Sequence, residues 1–434
     1  MTRLLYSLLA VLAAPAAFAL VLFRGARDRA YWAHLGQRFG FGPRVSAPCI
    51  WLHAVSVGEV SAAASLVRGL RARYPQVPFV LSTATPTGRA RGAAFFGADV
   101  DIRFLPYDTP GSVRRFLERI RPRLAIIMET ELWPNLLHEC RRRAVPVVFA
   151  SARLTARSVS RYRRLDALFG PAVENAVVAA QTAEDAERFV AIGADRARTH
   201  VVGNVKFDME LGEAVAAKGR ELRRRCLGAR FVWTAGSTHA GEEEELLRAH
   251  AELTSVAADA LLVLVPRHPQ RFDSVAALLA RQGVVFDRRS LDQPVRAEAR
   301  VLLADTMGEL VALYAASDAA FVGGSLVPVG GHNLLEPAAL GVPVITGPYT
   351  ANTREIARLL IERGGAIEAA DAAAVADGLR GLLADPASAL RMGARAREFV
   401  EAHRGTVARL LALIEPLLAP TGFPREAPPV EVRP

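Results

Sequence analysis

The stretch FVGGSLVPVGGHNLLEPAALGVPVITGP, from Phe321 to Pro348, decides the predicted fold. An apolar strand ends at the glycine pair Gly323–Gly324, a second pair follows at Gly330–Gly331, and a helix capped by His332 is predicted to run to Gly341. Glycine pairs at a strand-to-helix turn let backbone N–H groups approach a ligand, and a helix N-terminus favours an anion. We interpret the stretch as a site for a phosphate and its sugar; an ordinary strand-to-helix turn is the alternative.

Short apolar runs alternate with helical segments along the rest of the chain, which is the pattern of parallel βαβ units. Candidate strands occur between Ile50 and Val202 and again between Phe231 and Ile367, and the apolar rhythm breaks near residues 208–219. A chain of 434 residues is long enough for two α/β domains, each with its own core. We therefore predict two Rossmann-like, doubly wound domains that face a cleft, with ligands at the carboxyl ends of the strands.

The predicted domain limits follow from these patterns. They are an N-terminal membrane anchor at residues 1–25, a first Rossmann-like domain at 45–207, a second at 220–395, C-terminal helices at 396–418 and a Pro-rich, disordered tail at 419–434.

The N-terminal segment Leu4–Phe23 contains no charged residue and is long enough to span a bilayer. A cleaved signal peptide is the alternative, because Ala17–Ala19 resembles a cleavage site. Three arginines follow at once in the segment Arg24–Arg29, whereas only Arg3 and the amino terminus precede the apolar run. Because positive charge is retained on the cytoplasmic side, we predict an uncleaved membrane anchor with the remaining chain in the cytoplasm.

Composition narrows the class of partner. The hydrophobic fraction of 51% and the mean hydropathy of +0.19 indicate membrane contact, and the net charge of +10 is carried almost entirely by arginine. Such an excess of positive charge suits acidic lipid headgroups and nucleotides. Nucleic-acid binding is not predicted, because the sequence has neither a dense basic stripe nor aromatic residues interleaved with basic ones. The widely spaced cysteines Cys49, Cys140 and Cys226 form no CxxC motif, so we expect a reducing compartment without zinc or disulfides.

Three motifs in the first half carry candidate catalytic side chains. HAVSVGEV places Glu59 in the first turn of a helix, where it is either a cap or a general base. METELWPNL places Glu129 and Glu131 directly after an apolar strand, and the residues alone do not distinguish the two carboxylates. GNVKFD contains Lys206, one of only two lysines; in a chain this rich in arginine, a retained lysine indicates a place that needs a compact ammonium. The other, Lys218, is expected to be solvated.

The second half offers candidates for binding phosphate. VPRHPQRF ends a strand with Arg267 and His268, a natural pair for a phosphate. ADTMGEL places residues 308–310 at a helix start, and Asn333 and Glu336 lie one helical turn apart, so they can face the same ligand. The DxD sequence at 99–101 lies far from these candidates, and we interpret it as structural.

Together these motifs, in this order and over nearly the whole chain, resemble the 3-deoxy-D-manno-octulosonic acid (Kdo) transferases of Gram-negative bacteria. The resemblance implies an inverting glycosyltransferase of the GT-B fold that moves Kdo from CMP-Kdo onto a lipid A precursor (lipid IVA) at the inner membrane. It implies no bound metal and no cofactor. The first domain would receive the acceptor, and the second would bind the donor.

The resemblance also implies roles for particular residues. Glu59 matches the family's proton acceptor, and Glu129 and Lys206 match residues that support the transition state. The segments that match its CMP contacts contain Arg267, His268, Gly308, Glu309, Leu310, Asn333, Leu334, Leu335 and Glu336.

Two alternatives belong to other functional classes. A sugar-nucleotide epimerase of the GT-B fold would also bind a nucleotide but would need neither an anchor nor a lipid acceptor. A non-catalytic, membrane-tethered nucleotide-binding protein would release no CMP. The sequence does not specify how many Kdo residues are added.

Overall fold

The computed structural model describes residues 2–209, 211 and 213–419. Apart from Ala419, the tail predicted to be disordered lies outside the described residues. The chain divides into two compact units, the first formed by Met1–Met209 with Arg404–Pro434 and the second by Glu210–His403.

The first unit is built on a seven-stranded, wholly parallel sheet. Its inner strands are mainly apolar and, apart from Arg123, buried, as expected where helices cover both sides of a parallel sheet. The strand order is β3-β2-β1-β4-β5-β6-β7. The strands are β1 (Cys49–His53), β2 (Phe79–Thr83), β3 (Asp101–Phe104), β4 (Pro122–Met128), β5 (Val147–Ala152), β6 (Val177–Ala180) and β7 (Thr199–Val201).

Helices of this unit begin where the sequence supplies caps. Ser56 and Thr109, for example, each accept a hydrogen bond from the backbone N–H three residues later, which satisfies one of the unpaired donors of a first turn. The helices are α1 (Arg3–Gly25), α2 (Val57–Arg73), α3 (Pro86–Phe96), α4 (Pro110–Ile120), α5 (Pro134–Arg142), α6 (Ala156–Arg163), α7 (Asp166–Val173) and α8 (Ala183–Val190). By length and composition, α1 is the one described helix able to cross a membrane.

The second unit repeats the plan with another seven-stranded parallel sheet, in the order β10-β11-β9-β8-β12-β13-β14. Its strands are β8 (Val232–Thr238), β9 (Leu261–Pro266), β10 (Phe286–Arg288), β11 (Val301–Leu303), β12 (Ala319–Val322), β13 (Val344–Thr346) and β14 (Ala366–Glu368). The helices are α9 (Glu213–Leu222), α10 (Glu242–Thr254), α11 (Phe272–Arg281), α12 (Leu310–Ala315), α13 (Leu335–Ala339), α14 (Arg354–Glu362), α15 (Ala372–Ala384) and α16 (Pro386–Ala402).

The helical segment predicted at 396–418 is divided between the two units. Helix α16 ends at Ala402 in the second unit, and α17 (Thr406–Leu418) belongs to the first. There the buried side chains of Leu410 and Ile414 join the core formed with α2 and the sheet. The Asp208 carboxylate accepts hydrogen bonds from the N–H groups of Gly405 (2.7 Å) and Val407, which fixes the start of α17.

The predicted pair of Rossmann-like, doubly wound domains is confirmed. The strand order reverses between β1 and β4 in the first sheet and between β8 and β12 in the second. Open α/β sheets bind ligands at such a reversal, outside the carboxyl ends of the strands. The topology alone therefore directs attention to the segments that follow these four strands.

Candidate active site

The carboxyl edge of the first sheet collects the candidate catalytic residues of the first half. Glu59 follows β1 on α2, and Glu129 and Glu131 follow β4, the neighbour of β1 across the strand reversal. Lys206 follows β7 in a short 3-10 turn, Val205–Phe207. The pKa of Glu59 responds to the charges of both Glu129 and Lys206, so the structure brings the three predicted residues together.

Glu59 is part of a capping box. Its Oε2 accepts a hydrogen bond from the Val55 N–H (2.8 Å), its Oε1 accepts one from the Ser56 hydroxyl (3.1 Å), and the Ser56 Oγ accepts one from the Glu59 N–H (3.3 Å). The side chain therefore caps its own helix. Burial raises the pKa of Glu59, the Val55 N–H opposes that rise, and the negative charge of Glu129 adds to it. A carboxylate whose pKa is raised towards neutrality is a stronger proton acceptor than an exposed one.

Glu129 holds the ammonium of Lys206. The Lys206 Nζ lies 3.2 Å from the Glu129 Oε1, and both side chains are about one-quarter to one-third exposed, at 25% for Glu129 and 32% for Lys206. Glu129 has a φ of +52°, a left-handed conformation that is uncommon outside glycine and clusters at functional sites. The backbone turn directly after β4 thus places a carboxylate against the one lysine of this edge.

A chain of amide hydrogen bonds fixes the backbone that carries Lys206. The Asn204 Oδ1 accepts from the Lys206 N–H (2.9 Å), and the Asn204 Nδ2 donates to the Gln181 Oε1 (3.0 Å). Gln181 in turn donates to the Ser151 carbonyl oxygen (3.0 Å), and Ser151 also has a positive φ, of +54°. The end of β5 and the turns after β6 and β7 therefore position the backbone that carries Lys206.

The two carboxylates that the sequence left as alternatives have different surroundings. Glu129 is paired with Lys206, whereas burial, followed by the charge of Glu59, raises the pKa of Glu131 to about 7. His53, at the end of β1, is fully buried: its Nδ1 contacts the Ser82 carbonyl oxygen (3.0 Å) and hydroxyl (2.9 Å). Burial lowers the pKa of His53 to about 4, so it is a neutral core residue.

The second unit gathers basic and histidine side chains at its own strand reversal. Arg267 and His268 follow β9, His239 follows β8, and His332 follows the glycine-rich loop after β12. The rings of His239 and His332 stack at an interplanar angle of 8° with their Nε2 atoms 2.8 Å apart, and the His268 ring meets His239 edge-on.

Burial lowers the pKa of each of these three histidines, and neighbouring basic groups lower it further. For His332 the value falls to about 4. At neutral pH they are therefore uncharged hydrogen-bonding groups, and the predicted phosphate pair reduces to one cation, Arg267, with His268 as a neutral partner. The Arg267 guanidinium forms no hydrogen bond or ion pair with any described residue.

In the glycine-rich loop, Gly324 of the first glycine pair binds an internal anion, while the Gly323 N–H donates to the Gly236 carbonyl oxygen (2.8 Å). The fully buried Glu242 carboxylate accepts hydrogen bonds from the N–H groups of Gly324 (2.8 Å), Ser325 (3.0 Å) and Leu326 (2.9 Å). The second pair folds back, with the N–H groups of Gly330 and Gly331 on the Gly324 carbonyl oxygen. In this structure these donors are therefore occupied by groups of the chain itself.

The helix after this loop is also shorter than predicted. It begins at Leu335 and has five residues, and His332 stacks on His239 instead of capping it. Asn333 forms the side-chain hydrogen bonds at the start of this helix. Its Oδ1 accepts from the Leu335 N–H (3.2 Å), and its Nδ2 donates to the Glu336 Oε1 (3.2 Å). Asn333 and Glu336 do lie together, as the spacing indicated.

The Gly308–Leu310 segment follows β11, the neighbour of β9. Gly308 has a φ of +82° and leads into α12. The Glu309 carboxylate bonds the Thr306 hydroxyl (2.6 Å), the Lys218 ammonium (3.0 Å) and the Arg289 guanidinium (3.2 Å). Lys218, which was expected to be solvated, is 51% exposed and also pairs with Glu309. The Glu309 carboxylate is thus engaged by groups of the chain itself.

The described residues contain no group of three or more His, Cys, Asp or Glu side chains able to hold a metal ion. Both acids of the DxD sequence pair with arginines, Asp99 with Arg71 and Asp101 with Arg103.

Both halves of the chain resemble known proteins. Residues 33–209 match the family described as 3-deoxy-D-manno-octulosonic-acid transferase (kdotransferase), and residues 285–399 match the glycosyl transferases group 1. The 3-deoxy-D-manno-octulosonic acid transferase of Haemophilus influenzae is 40% identical over 96% of this chain and 99% of its own length. That of Bordetella pertussis is 41% identical over 87% of this chain and 90% of its own. The chain belongs to the 3-deoxy-D-manno-octulosonic acid transferase family.

A solved structure of a protein with another function shares the fold of this Kdo transferase family member. The crystal structure of UDP-GlcNAc 2-epimerase from Neisseria meningitidis bound to UDP-GlcNAc matches it with a TM-score of 0.58, covering 85% of this chain and all of that one. At 12% identity this likeness shows the fold alone. The predicted family and enzyme class, a glycosyltransferase of the GT-B fold, are confirmed.

Two residues of this region, Glu242 and His239, were not among the candidates that the sequence indicated. Their importance depends on contacts with residues more than 80 positions away, which local patterns do not report. One sequence signal for Glu242 is the run of acidic residues after Gly241, which carries more negative charge than a single helix N-terminus needs.

Proposed function

We propose that this Kdo transferase family member moves Kdo from CMP-Kdo to a sugar hydroxyl of a lipid A precursor (lipid IVA) with inversion at the anomeric carbon. Family membership along 96% of the chain supports the transferred group. The observation that carries the mechanism is the position of Glu59, beside the strand reversal of the first sheet and within the electrostatic reach of Glu129 and Lys206.

The proposed reaction is a single displacement. The Glu59 carboxylate accepts the proton of the attacking hydroxyl while its oxygen forms a bond to the anomeric carbon of Kdo. The bond from that carbon to the phosphate oxygen breaks on the opposite face, and CMP leaves with the electron pair. The raised pKa of Glu59 makes it a better acceptor for this proton than a solvated carboxylate.

Lys206 supplies a compact positive charge in the first unit. Its pairing with Glu129 keeps the ammonium in place. We assign it to an anionic group of the donor, either the Kdo carboxylate or the phosphate on which charge develops. A charge fixed before reaction stabilises the transition state without a reorganisation cost.

The second unit is the proposed donor site. Arg267 is the cation for the CMP phosphate, and the neutral His268 is a hydrogen-bond partner. The segments Gly308–Leu310 and Asn333–Glu336 would contact the rest of the nucleotide. Because the Glu309 carboxylate is committed to Lys218 and Arg289, we assign any nucleotide contact of its segment to the backbone.

Attachment to the inner membrane, with both units on the cytoplasmic side, completes the proposal. Helix α1 supplies the apolar surface, and the arginines of residues 24–29 supply the positive charge that is retained on the cytoplasmic side. The acceptor is an acidic lipid, so a net charge of +10 also favours its capture.

Mass spectrometry of the products tests this function. The purified full chain, incubated with CMP-Kdo and a lipid A precursor, is expected to yield a lipid carrying added Kdo and one CMP for each Kdo transferred. Isomerised sugar nucleotide without a lipid product would instead support an epimerase. Absence of CMP release would support a binding protein without catalytic activity.

A further inference from the structure

Helix α1 contacts the first unit along its whole length. Its buried residues are Ser7, Ala14, Val21 and Gly25, which fall on one stripe of the helix from its first turns to its last residue. The stripe faces the globular unit, since Phe18 meets Phe39 edge-on with ring centroids 5.1 Å apart. The helix is thus docked on the unit and does not project from it.

Polar side chains fasten the first turns. The Tyr6 hydroxyl donates to the Asp108 Oδ2 (2.9 Å), and the Ser7 hydroxyl donates to the Asn135 Oδ1 (2.8 Å). Asp108 also accepts the N–H groups of Asn135 (2.9 Å) and Leu136 (2.8 Å), so the helix is tied to the start of α5. Apolar helices that only cross lipid have no need of such partners.

The last turn is fastened by Trp32. Its indole N–H donates to the Leu22 carbonyl oxygen (3.0 Å), and the ring lies against Gly25, where a Cβ would collide with it. The chain after α1 therefore folds back onto the helix. Both ends of α1 are held by groups of the same unit.

Outside the buried stripe, α1 is largely apolar and exposed. Leu4, Leu8 and Leu12 are 76%, 55% and 66% exposed, and Phe23 is 62% exposed. The exposed Arg24 and Arg27 follow directly. An apolar face that ends in cations complements a membrane surface, with acyl chains beneath anionic headgroups.

These contacts conflict with a bilayer crossing. A spanning helix needs about 20 residues within the hydrocarbon. Helix α1 has 23 residues, and its protein-facing stripe extends from Ser7 to Gly25. If α1 crossed the bilayer, Asp108, Asn135 and the backbone around them would be carried to membrane depth, where a carboxylate and irregular backbone are strongly disfavoured.

We propose that α1 lies in the plane of the membrane surface, docked on the first unit, with its Leu4, Leu8 and Leu12 face among the acyl chains of one leaflet. This inference rests on the membrane attachment proposed above. It places the amino terminus on the same side of the membrane as the catalytic units. In this arrangement the hydrogen bonds of Tyr6 and Ser7 orient the exposed apolar face of α1 away from the unit.

Cysteine labelling tests this arrangement on the full chain. The three native cysteines are buried, so the exposed positions Thr2→Cys and Ser255→Cys can be labelled separately with a membrane-impermeant maleimide. In inverted inner-membrane vesicles both variants are expected to label to the same extent, and in right-side-out spheroplasts neither. Labelling of Thr2→Cys only in spheroplasts, with Ser255→Cys only in inverted vesicles, contradicts the in-plane placement alone. Recovery of the wild-type chain in the soluble fraction overturns the membrane attachment itself, and the inference with it.

A second variant tests the lipid-facing side. Leu8→Glu with Leu12→Glu is expected to release the folded chain from vesicles of anionic phospholipid, with at least a tenfold loss of bound fraction. The matched control, Ser7→Ala on the protein-facing stripe, is expected to keep vesicle binding and to lower Tm. Unchanged vesicle binding of the double variant contradicts the proposal.

Discussion

Glu59 combines two roles that the sequence presented as alternatives. The capping box fixes its carboxylate by two donated hydrogen bonds, and burial together with Glu129 raises its pKa. A carboxylate held in one orientation is also well placed to receive a proton from a bound hydroxyl. The cap is therefore part of what positions the proposed base.

The pH dependence of turnover reports the charges around Glu59. The base must be ionised, so the rate rises as pH passes upward through the pKa of Glu59. Glu129 raises that pKa and Lys206 lowers it. Glu129→Gln is therefore expected to move the acid limb of the kcat profile to lower pH, and Lys206→Met to move it to higher pH while lowering kcat by roughly 10²-fold.

Profiles of kcat against pH for the two variants and wild type check this prediction. Glu131→Gln is a useful control, because it removes the group whose pKa lies at about 7 without touching the Glu129–Lys206 pair. Shifts of the acid limb in the same direction for Glu129→Gln and Lys206→Met would contradict the proposed electrostatics.

Residue types and spacing predicted which residues belong to the proposed site, but not which of them contact one another. The sequence indicated Glu59, Glu129 and Lys206 because acids and a rare lysine stand directly after apolar strands. It could not separate Glu129 from Glu131, since the distinction lies in Lys206, which is 77 positions away. The charge state of His268 likewise depends on burial and on Arg267 and Arg271.

At the scale of elements, hydrogen bonds join α10 to the glycine-rich loop. Helix α10 presents Glu242 to three consecutive N–H groups of the loop, so the loop takes its shape from a buried carboxylate. Burial raises the pKa of Glu242, and the donated hydrogen bonds oppose that rise. The proposed donor segment Asn333–Glu336 follows this loop, so we expect its position to depend on Glu242.

Replacing this carboxylate should loosen the loop. Glu242→Gln removes the charge and places an amide N–H₂ against backbone donors, so we expect a loss of about 2 kcal/mol or more in the free energy of unfolding. We also expect CMP affinity to fall about tenfold, which corresponds to about 1.4 kcal/mol. Urea denaturation and calorimetric titration with CMP measure the two effects.

The exposed Glu244→Gln on the same helix is the matched control, and it should change neither quantity. If Glu242→Gln bound CMP with wild-type affinity, the shape of the loop would not matter for the donor site, and this assignment would be contradicted.

Local sequence patterns predicted the strands and the strand-to-helix turn of this region correctly. The helix after the loop was overestimated, because apolar and polar spacing around Asn333 suits a helix that the structure begins only at Leu335. Occupation of the Gly324 N–H by Glu242 was not predictable, since a glycine pair looks the same whether its anion is a ligand or part of the chain.

At the scale of the whole molecule, the chain leaves the first unit near Met209 and returns to it at Arg404. Composition and periodicity predicted two doubly wound domains, because parallel strands buried on both faces are readable as apolar runs. The return was not predictable, since an amphipathic helix does not specify which core it covers. The docking of α1 on its own unit was missed for the same reason.

The returning helix is expected to matter for stability of the first unit. Ile414 is fully buried in the core beneath α2, so Ile414→Ala should lower the free energy of unfolding by about 2–5 kcal/mol. Leu390→Ala, at a 75% exposed position, is the control and should stay within about 0.5 kcal/mol of wild type. Denaturant unfolding of both variants checks the expectation, and equal stabilities would show that α17 is dispensable.

The most direct test of the proposed mechanism is Kdo transfer by Glu59→Gln. Glutamine keeps a side-chain acceptor for the Val55 N–H, so helix α2 should remain capped, while no proton acceptor remains. We expect transfer from CMP-Kdo to the lipid A precursor to fall by about 10²–10⁴-fold, with CMP affinity and Tm close to wild type. Ser56→Ala, which weakens the cap by about 1 kcal/mol, should retain activity. Substantial Kdo transfer by folded Glu59→Gln, seen as lipid product in the mass spectrum, would contradict the role of Glu59 as the base.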